Sequence, residues 1–315
     1  MFWRACGLAA VLASPALHAA EAYPAKTIRL ILPFGVSEIL YQLLTRSLSE
    51  TLGQPVVIDY KPGNGGHIGA EAAAKSPADG YTLIILSSAH TNGPSMYANL
   101  KYDVLKDFAP ISLIARVPQV LVVHPSLPVK SLNELAQLAR NNPDKFLYGS
   151  GGIGSSGHLA LELFKSLTKT GLGHIPYKGG ASVLPNILSG EVHMVSVTVP
   201  PAITYITTGK LRALAVLTPD RVATLSAVPT SAEAGMPDLL YTSWYGAAAP
   251  AGVDASIIQQ LHTAITGSMS TADMKSRLAV AGVEPTTNTP AEFSQFLRSE
   301  IAKWAIIIKS ANIKF

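Results

Sequence analysis

Apolar runs and amphipathic segments alternate along the first part of this chain. Thr27 to Pro33 (TIRLILP) is almost continuously apolar, which is typical of a strand buried on both faces of a parallel sheet. Apolar residues then recur at Leu40, Leu44 and Leu48, and this spacing predicts a helix that ends at Gly53. The next predicted elements are a strand at 56–59, a helix at 67–75 and a strand at 81–86. This β-α-β-α-β order indicates a parallel sheet covered by helices.

The same order of elements returns later in the chain, so we expect one supersecondary unit to be used in two lobes. The later strands are predicted at 121–124, 145–149, 173–176, 192–199, 211–217 and 243–249. The later helices are predicted at 131–140, 158–169, 181–189, 200–208, 254–268, 271–281 and 290–311. Capping-box patterns stand at 131–134 and 230–233. We predict an α/β fold of two lobes, each a mainly parallel, helix-covered sheet, with the C-terminal helices able to pack across both.

A glycine- and serine-rich run from Tyr148 to Leu159 lies between a predicted strand and a predicted helix. Its backbone amides, hydroxyls and helix start could hold a small anion without any lysine or arginine. The run also contains G-x-G-x-x-G, but a dinucleotide site requires an acidic residue about 20 positions further on. No Asp or Glu lies between Leu163 and Gly190. A small-ligand site is therefore favoured over a dinucleotide loop or a purely structural turn.

The segment after the strand at 81–86 is dense in short hydrogen-bonding side chains. It reads Ser87-Ser-Ala-His-Thr-Asn92 and is predicted as a loop at the carboxyl end of the sheet, where ligands of open α/β sheets bind. Each residue also has a structural alternative. Ser87 and Asn92 are common in caps and turns, and His90 by itself is typical of a buried structural histidine.

Composition and charge limit the classes of function. With 48% hydrophobic and 14% charged residues the chain is an ordinary globular protein, and its net charge of +4 forms no basic block, which disfavours nucleic acid as a partner. Residues 1–22 are predicted to be a cleavable signal peptide, since Arg4 precedes an apolar stretch and Ala19, Ala20 and Ala22 follow it. Cys6 falls inside that segment, so we expect a mature periplasmic protein without disulfides.

Motifs for catalysis or metal binding are missing from the sequence. There is no G-x-S-x-G, H-E-x-x-H or P-loop pattern, and no two histidines stand three or four residues apart on one predicted helix. Ser155 or Ser156 could act with a distant histidine as a nucleophile, but nothing in the sequence brings such a pair together. We therefore expect neither an enzyme nor a bound metal or cofactor.

Nine sequence motifs, in order, carry a resemblance to a known family. They are YPAKTIRLILPF, LGQPVVIDYKPGNGGHIGAEAAAKSPADGYTL, KDFAPISLIARVPQVLVVHPSLP, YGSGGIGSSGHLALELF, HIPYKGGA, GKLRALAV, VPTSAEAG, SWYGAAAPAG and IAKWAIIIKSANIK. Through them the chain from Tyr23 to Phe315 resembles the extracytoplasmic solute-binding receptors of tripartite tricarboxylate transporters, often called Bug receptors.

The resemblance implies a type II-like, two-lobed flytrap with hinge strands and no catalytic site. One lobe is expected to comprise 23–122 and 244–315, and the other 123–243. It further implies a monomer that binds a small di-, tricarboxylic or aromatic acid in the cleft and passes it to a membrane permease. The implied ligand-binding residues are Phe34, Gly35, Val36, Ser37, Glu38, Ser87, Ser88, His90, Asn92, Ser150, Gly151, Gly154, Ser155, Ser156, Tyr177, Lys178, Val197 and Thr198.

Two departures from the family pattern bear on the ligand. The first loop, Pro33 to Glu38, is about two residues shorter than the usual P-F-x-x-G-G-x-x-D, which puts the floor of the pocket in question. Val197 stands where members often have the Asp of F-D-N, which favours a less polar or aromatic ligand body. Lys178 is a nearby cation, or equally a solvated rim residue. Two other functions stay open, namely a sensing module for a membrane signalling partner and a periplasmic hydrolase.

Overall fold

The computed structural model describes residues 23–33, 39–177 and 180–310. The first part of the chain alternates strands and helices as its apolar pattern predicts. The elements are β1 (Ile28–Leu32), α1 (Ile39–Leu52), β2 (Val56–Tyr60), α2 (His67–Ala74), β3 (Thr82–Ser87) and α3 (Ser88–Met96). Strands β1, β2 and β3 pair in parallel, and every residue of β3 is buried, which explains its unbroken apolar sequence.

A 16-residue strand, β4 (Phe108–Val123), carries the chain out of this first unit. The predicted elements included only its end, at 121–124, because Pro110 and Pro118 are expected to break strands. Pro110 lies at a register shift, and Pro118 is the last residue of β4 that pairs with the returning strand β9 (Thr242–Pro250). The prolines therefore occupy the irregular positions where a strand tolerates them.

The second unit and the C-terminal region follow. Their elements are α4 (Leu132–Asn141), β5 (Leu147–Ser150), α5 (Ser156–Thr168), β6 (Gly173–Pro176), α6 (Leu184–Leu188), β7 (Met194–Thr198), α7 (Val199–Thr207), β8 (Arg212–Val216), β9, α8 (Ala255–Ser270), α9 (Ala272–Val280), β10 (Glu284–Pro285) and α10 (Pro290–Ser310). A 3-10 turn at Gly180–Val183 precedes α6. The capping pattern at 230–233 closes a turn rather than starting a helix, since its reciprocal bonds are made but the chain turns away after Gly235.

All ten strands join one mixed sheet in the order β2-β1-β3-β9-β4-β7-β5-β6, with β8 and β10 also paired to β4. We call β1, β2, β3, β9, β10 and the part of β4 up to Pro118 the first half-sheet. The second half-sheet comprises the rest of β4 with β5, β6, β7 and β8. The chain changes from one half to the other between Pro118 and Gln119 and returns at Thr242. The lobe boundaries expected at 122 and 243 stay a prediction.

The strand registers direct the carboxyl ends of both parallel units toward the middle of β4. Ser87, at the end of β3, lies opposite Tyr245 of β9, which in turn lies opposite Ala115 of β4. From the other side, Gly149 of β5 lies opposite Val195 of β7, which pairs with Val122 of β4. The strand ends that lead into α3 and α5 are therefore aligned with the stretch of β4 between Ala115 and Val122, with β9 on one side and β7 on the other between them and β4.

Helix α10 contributes to the cores of both halves. Phe293 and Leu297, in its first turns, are buried with Trp244 against the first half-sheet. Trp304 and Ile308, further along, are buried against the helices and strands of the second half-sheet. The predicted packing of a C-terminal helix across both units is therefore present. Within the described residues, no helix is both long and apolar enough to cross a membrane.

Candidate ligand-binding site

The segment expected as a loop after β3 is the start of helix α3, and this corrects the sequence prediction. Serine, histidine and asparagine are weak helix formers, but here they satisfy the helix start. Ser87 is the N-cap, and its hydroxyl accepts a hydrogen bond from the Ala89 amide at 3.3 Å. His90 closes the cap from the other side, because its Nδ1 accepts from the Ser87 amide at 3.0 Å. His90 is fully buried.

The other two polar residues predicted in this segment lie close to a tyrosine from the end of the second unit. Burial raises the pKa of Tyr241, and the nearby Ser88 and Asn92 side chains act to lower it. Asn92 is 1% exposed, and neither its amide nitrogen nor its amide oxygen has a hydrogen-bond partner among the described residues. An unpaired buried amide is costly, and such a group is commonly completed by a ligand or a water.

The glycine- and serine-rich run forms the loop between β5 and α5. The Ser150 hydroxyl accepts from the Gly152 amide at 3.1 Å and lies within bonding distance of the Gly152 carbonyl, which tightens the turn. Ser155 is the N-cap of α5, and its hydroxyl accepts from the His158 amide. Ser156 and Gly157 follow in the first turn, and no acidic residue is present in it. The predicted strand, loop and helix around this run are all formed.

A stack of three aromatic rings packs against this loop. His158 lies over His174 with ring centroids 4.1 Å apart, and His174 lies 4.6 Å from the ring of Tyr148. His158 Nδ1 accepts from the Gly154 amide at 2.9 Å, and His174 Nε2 lies 2.7 Å from the Ser150 hydroxyl. Burial lowers the pKa of each histidine to about 4. Neutral imidazoles thus hold both ends of the loop.

Gln119 connects the loop to the strands that join the two half-sheets. Its amide nitrogen donates to the Ser156 hydroxyl at 2.8 Å and lies 3.0 Å from the Ser243 hydroxyl of β9, while its amide oxygen accepts from Ser196 of β7 at 3.0 Å. Gln119 is 1% exposed. The start of α5 is thereby tied to β4, β7 and β9 at the point where the chain passes between the halves.

The glycine loop also contacts the last residue of helix α3. A Cβ atom at Gly154, whose φ is +75°, would lie 2.9 Å from the sulfur and methyl carbon of Met96. Met96 is the last residue of α3, and it is buried with the core of the second unit. Helix α3 and the glycine loop of α5 are therefore in contact. That Ser87, Ser88, His90 and Asn92 line one side of a ligand site, and Ser150, Gly151, Gly154, Ser155 and Ser156 the other, stays a prediction.

The remaining predicted residues have different positions. Val197 is buried in a core with Val120 and Val195, since alternation along β7 turns it away from Ser196. The structure gives Val197 a role in core packing, and the expected contact with a ligand stays a prediction. Thr198 is the N-cap of α7, and the Tyr177 carbonyl approaches Gly152. Phe34 to Glu38 and Lys178, like the predicted signal peptide, lie outside the described residues.

Three contributors to the site were missing from the sequence prediction: His158, His174 and Gln119. The signal for His158 was present, because Ser87-Ser-Ala-His90 and Ser155-Ser-Gly-His158 share the pattern S-S-x-H. Gln119 and His174 carried no local signal, since their partners are distant in sequence. Over the described residues, no three His, Cys, Asp or Glu side chains are grouped to hold a metal ion. The site presents neutral hydrogen-bonding groups and two helix starts, which is suited to binding an anion.

Comparisons with known proteins give concordant results. Residues 40–313 match the tripartite tricarboxylate transporter family receptor. The chain is 36% identical over 300 residues to protein BugT of Bordetella pertussis, which covers 94% of this chain and 92% of BugT.

Solved structures agree with this match. Rpa4515 of R. palustris, solved with adipate, is 37% identical with a TM-score of 0.86, and the match covers 93% of this chain and all of that one. MatC of Rhodopseudomonas palustris, solved with malate, is 27% identical with a TM-score of 0.82, and here 91% of this chain and 100% of MatC are covered.

Proposed function

Because the chain belongs to the family of tripartite tricarboxylate transporter receptors, we propose that it captures a small carboxylate between its two half-sheets and delivers it to the permease of such a transporter. It acts in the periplasm, after removal of a signal peptide at residues 1–22, and as a monomer. The proposed ligand is a dicarboxylate or a related small acid, in line with the adipate and malate bound to the similar proteins.

The observation that carries this proposal is the pair of helix starts on either side of β4. Helices α3 and α5 both begin with a capping serine, and neither has an acidic residue in its first turn. The first N–H groups of a helix have no intrahelical partner, and they carry a partial positive charge. The glycine loop brings backbone close to the α5 start without a side chain in the way.

The neutral character of the site suits a transport receptor. A carboxylate held by amides and hydroxyls gains charge-assisted hydrogen bonds, yet no buried lysine or arginine must be left unpaired when the ligand departs. The buried Asn92 amide, with both a donor and an acceptor free among the described residues, is the side chain we assign to direct ligand contact.

The proposal is tested by calorimetry and thermal melting of the mature protein with adipate, malate and citrate. Each acid is matched with its neutral amide, for example adipamide for adipate, which keeps the length and removes the charge. At a hundredfold excess over its Kd, a true ligand stabilises the fold by about 2.7 kcal/mol. We expect this for at least one acid and not for its amide. If none of the acids binds, or if acid and amide bind alike, carboxylate capture is contradicted.

A further inference from the structure

Among the described residues, five segments have a capping Ser or Thr and, three positions later, a Glu or His whose side chain accepts a backbone amide at the cap itself or at the residue before it. Three of them use glutamate at the later position, namely Ser131 with Glu134, Thr230 with Glu233 and Thr289 with Glu292. The other two use histidine, and they are the starts of α3 and α5. Glutamate or glutamine is the usual residue there. Within the described part of the chain, histidine therefore takes the place of glutamate only at the two caps of the candidate site.

The geometry requires both histidines to be neutral. His90 Nδ1 accepts from the Ser87 amide and His158 Nδ1 accepts from the Gly154 amide, and an imidazole nitrogen that accepts a hydrogen bond carries no proton. Each histidine thus accepts a backbone hydrogen bond, as a capping glutamate does, but carries no negative charge. By contrast, hydrogen bonds from the Thr230 and Thr289 backbone lower the pKa of Glu233 and of Glu292, which keeps those two caps ionised.

The surroundings of the two rings favour the same uncharged state. Burial, and then the neighbouring His67, lower the pKa of His90 to about 3, against hydrogen bonds with the Gly66 and Ser87 backbone. Burial, and then Lys165, lower the pKa of His158 to about 4.

The other titratable groups packed around each ring have partners of their own. Tyr102 lies beside His90 and bonds the ring of His67. His174, Tyr148 and Glu162 lie around His158, and Glu162 bonds both the Tyr148 hydroxyl and the Lys165 ammonium. Both rings are therefore neutral across the neutral pH range.

We propose that His90 and His158 are positioning residues that fix the first turns of α3 and α5 while keeping them free of negative charge, so that the paired helix starts accept a carboxylate. This inference rests on the proposed function, and it assigns the selectivity for anions to two side chains that act through the helix starts. A glutamate in their place would make the same backbone bonds, but its charge would lie within the first helical turn, beside the bound anion.

The test compares two substitutions of nearly equal size at each position, His158→Gln with His158→Glu and His90→Gln with His90→Glu. Gln and Glu both accept the backbone bond, so losses of ring packing are common to each pair. Calorimetry at pH 7.5 uses whichever of adipate, malate and citrate binds the wild type. We expect the Gln variants to bind within about threefold of the wild type. The Glu variants should bind at least about tenfold more weakly, because a carboxylate in the first helical turn repels an anion held by the same turn. Melting temperatures show whether both members of each pair are folded at the temperature of the binding measurement.

The control is Glu134→Gln, the same change of charge in a cap outside the site, which should leave binding unchanged. Equal affinities of the Gln and Glu variants would overturn the inference, as would Gln variants that lose binding as fully as the Glu variants while remaining folded. If the variants of one histidine fail to fold, the inference is tested on the other histidine alone. A His→Asn variant at that position then serves as a second neutral hydrogen-bond acceptor. A wild type that binds none of the acids contradicts the proposed function itself, which separates that failure from this one.

Discussion

Gly157 shows how closely the helix start and the joining strands are packed. A Cβ atom at this position would lie 2.3 Å from the backbone oxygen of Ser196, a distance that no real Cβ contact has. We expect Gly157→Ala to displace the start of α5 from β7, to lower the free energy of unfolding by about 1–3 kcal/mol, and to weaken carboxylate binding strongly. Urea unfolding and calorimetry would measure the two effects.

The matched control for this change is Gly267→Ala. Gly267 also lies in a helix, α8, but a Cβ atom there would have no neighbour within 4 Å. That substitution should stabilise the protein slightly, by up to about 1 kcal/mol, because alanine is the better helix former. If Gly157→Ala changed the free energy of unfolding as little as Gly267→Ala does, the inference that α5 packs closely against β7 at Gly157 would be contradicted.

Because several histidines are buried, we expect the stability of the folded chain to depend on pH. Burial lowers the pKa of His67, His158 and His174 to about 4 in the folded chain, whereas an unfolded histidine titrates near 6.5. Between these values the unfolded state binds more protons than the folded state, so the free energy of unfolding should fall as the pH is lowered from about 6.5 toward 4. Urea unfolding at pH 7.5, 6.5, 5.5 and 5.0 would measure this. Constant stability over that range would contradict it, and His158→Gln should reduce the slope.

Local roles of single residues were predictable where their chemistry is local. Ser87, Ser150 and Ser155 were named from the sequence because each stands next to the glycine, histidine or helix start that it bonds, and their contact with a ligand stays a prediction. Gln119 was missed because its three serine partners, Ser156, Ser196 and Ser243, lie 37, 77 and 124 residues away in sequence. Val197 was assigned to the cleft by analogy, whereas the alternation of β7 decides which of its side chains meets the core.

At the level of elements, most helices and strands follow from apolar periodicity and capping residues. Two errors have physical causes. Helix α3 was expected as a loop because its sequence has low helix propensity, but its cap, and the burial of His90 and Met96, outweigh propensity. Strand β4 was underestimated because its two prolines lie at a register shift and at the changeover between half-sheets, positions that only pairing with distant strands defines.

Helix α10 packs against both half-sheets, so substitutions in it test how much the stability of the fold depends on this shared helix. Trp304 is 2% exposed, packs against Tyr241 with ring centroids 4.7 Å apart, and donates its indole N–H to Glu300. We expect Trp304→Ala to lower the free energy of unfolding by about 3–5 kcal/mol. On the same helix Ile306 is 72% exposed, so Ile306→Ala should change it by no more than about 0.5 kcal/mol. Similar small effects of both would show that α10 is not anchored in the second core.

For the whole molecule, the expectations drawn from the family resemblance hold at the level of fold and class. The α/β solute-binding fold and the receptor family are confirmed by the family match and by the likeness to Rpa4515. The sequence could not provide the ligand, since selectivity depends on distances across a cleft whose sides are remote in sequence. The first loop, where the chain departs from the family pattern, lies outside the described residues.

The connections between the two half-sheets predict how binding and overall shape are linked. Gln119 links the start of α5 to β9 at the point where β4 passes from one half-sheet to the other. Removing its hydrogen bonds should therefore lower the population of the conformation that binds the ligand. The apparent Kd then rises in inverse proportion to that population. Gln119→Met keeps the approximate volume and removes three hydrogen bonds, each with a net value of about 1 kcal/mol. We expect an apparent Kd at least about tenfold higher.

X-ray scattering distinguishes a change in population from a destroyed site. The radius of gyration of the wild type should decrease on addition of a carboxylate ligand, as the half-sheets close around it. Gln119→Met should reach the same final value, but only at the higher ligand concentration. Gln137→Met, the same change on the exposed face of α4, should behave as the wild type does. A variant at Gln119 that binds and compacts like the wild type would show that this hydrogen-bonded hub does not couple the site to the joining strands.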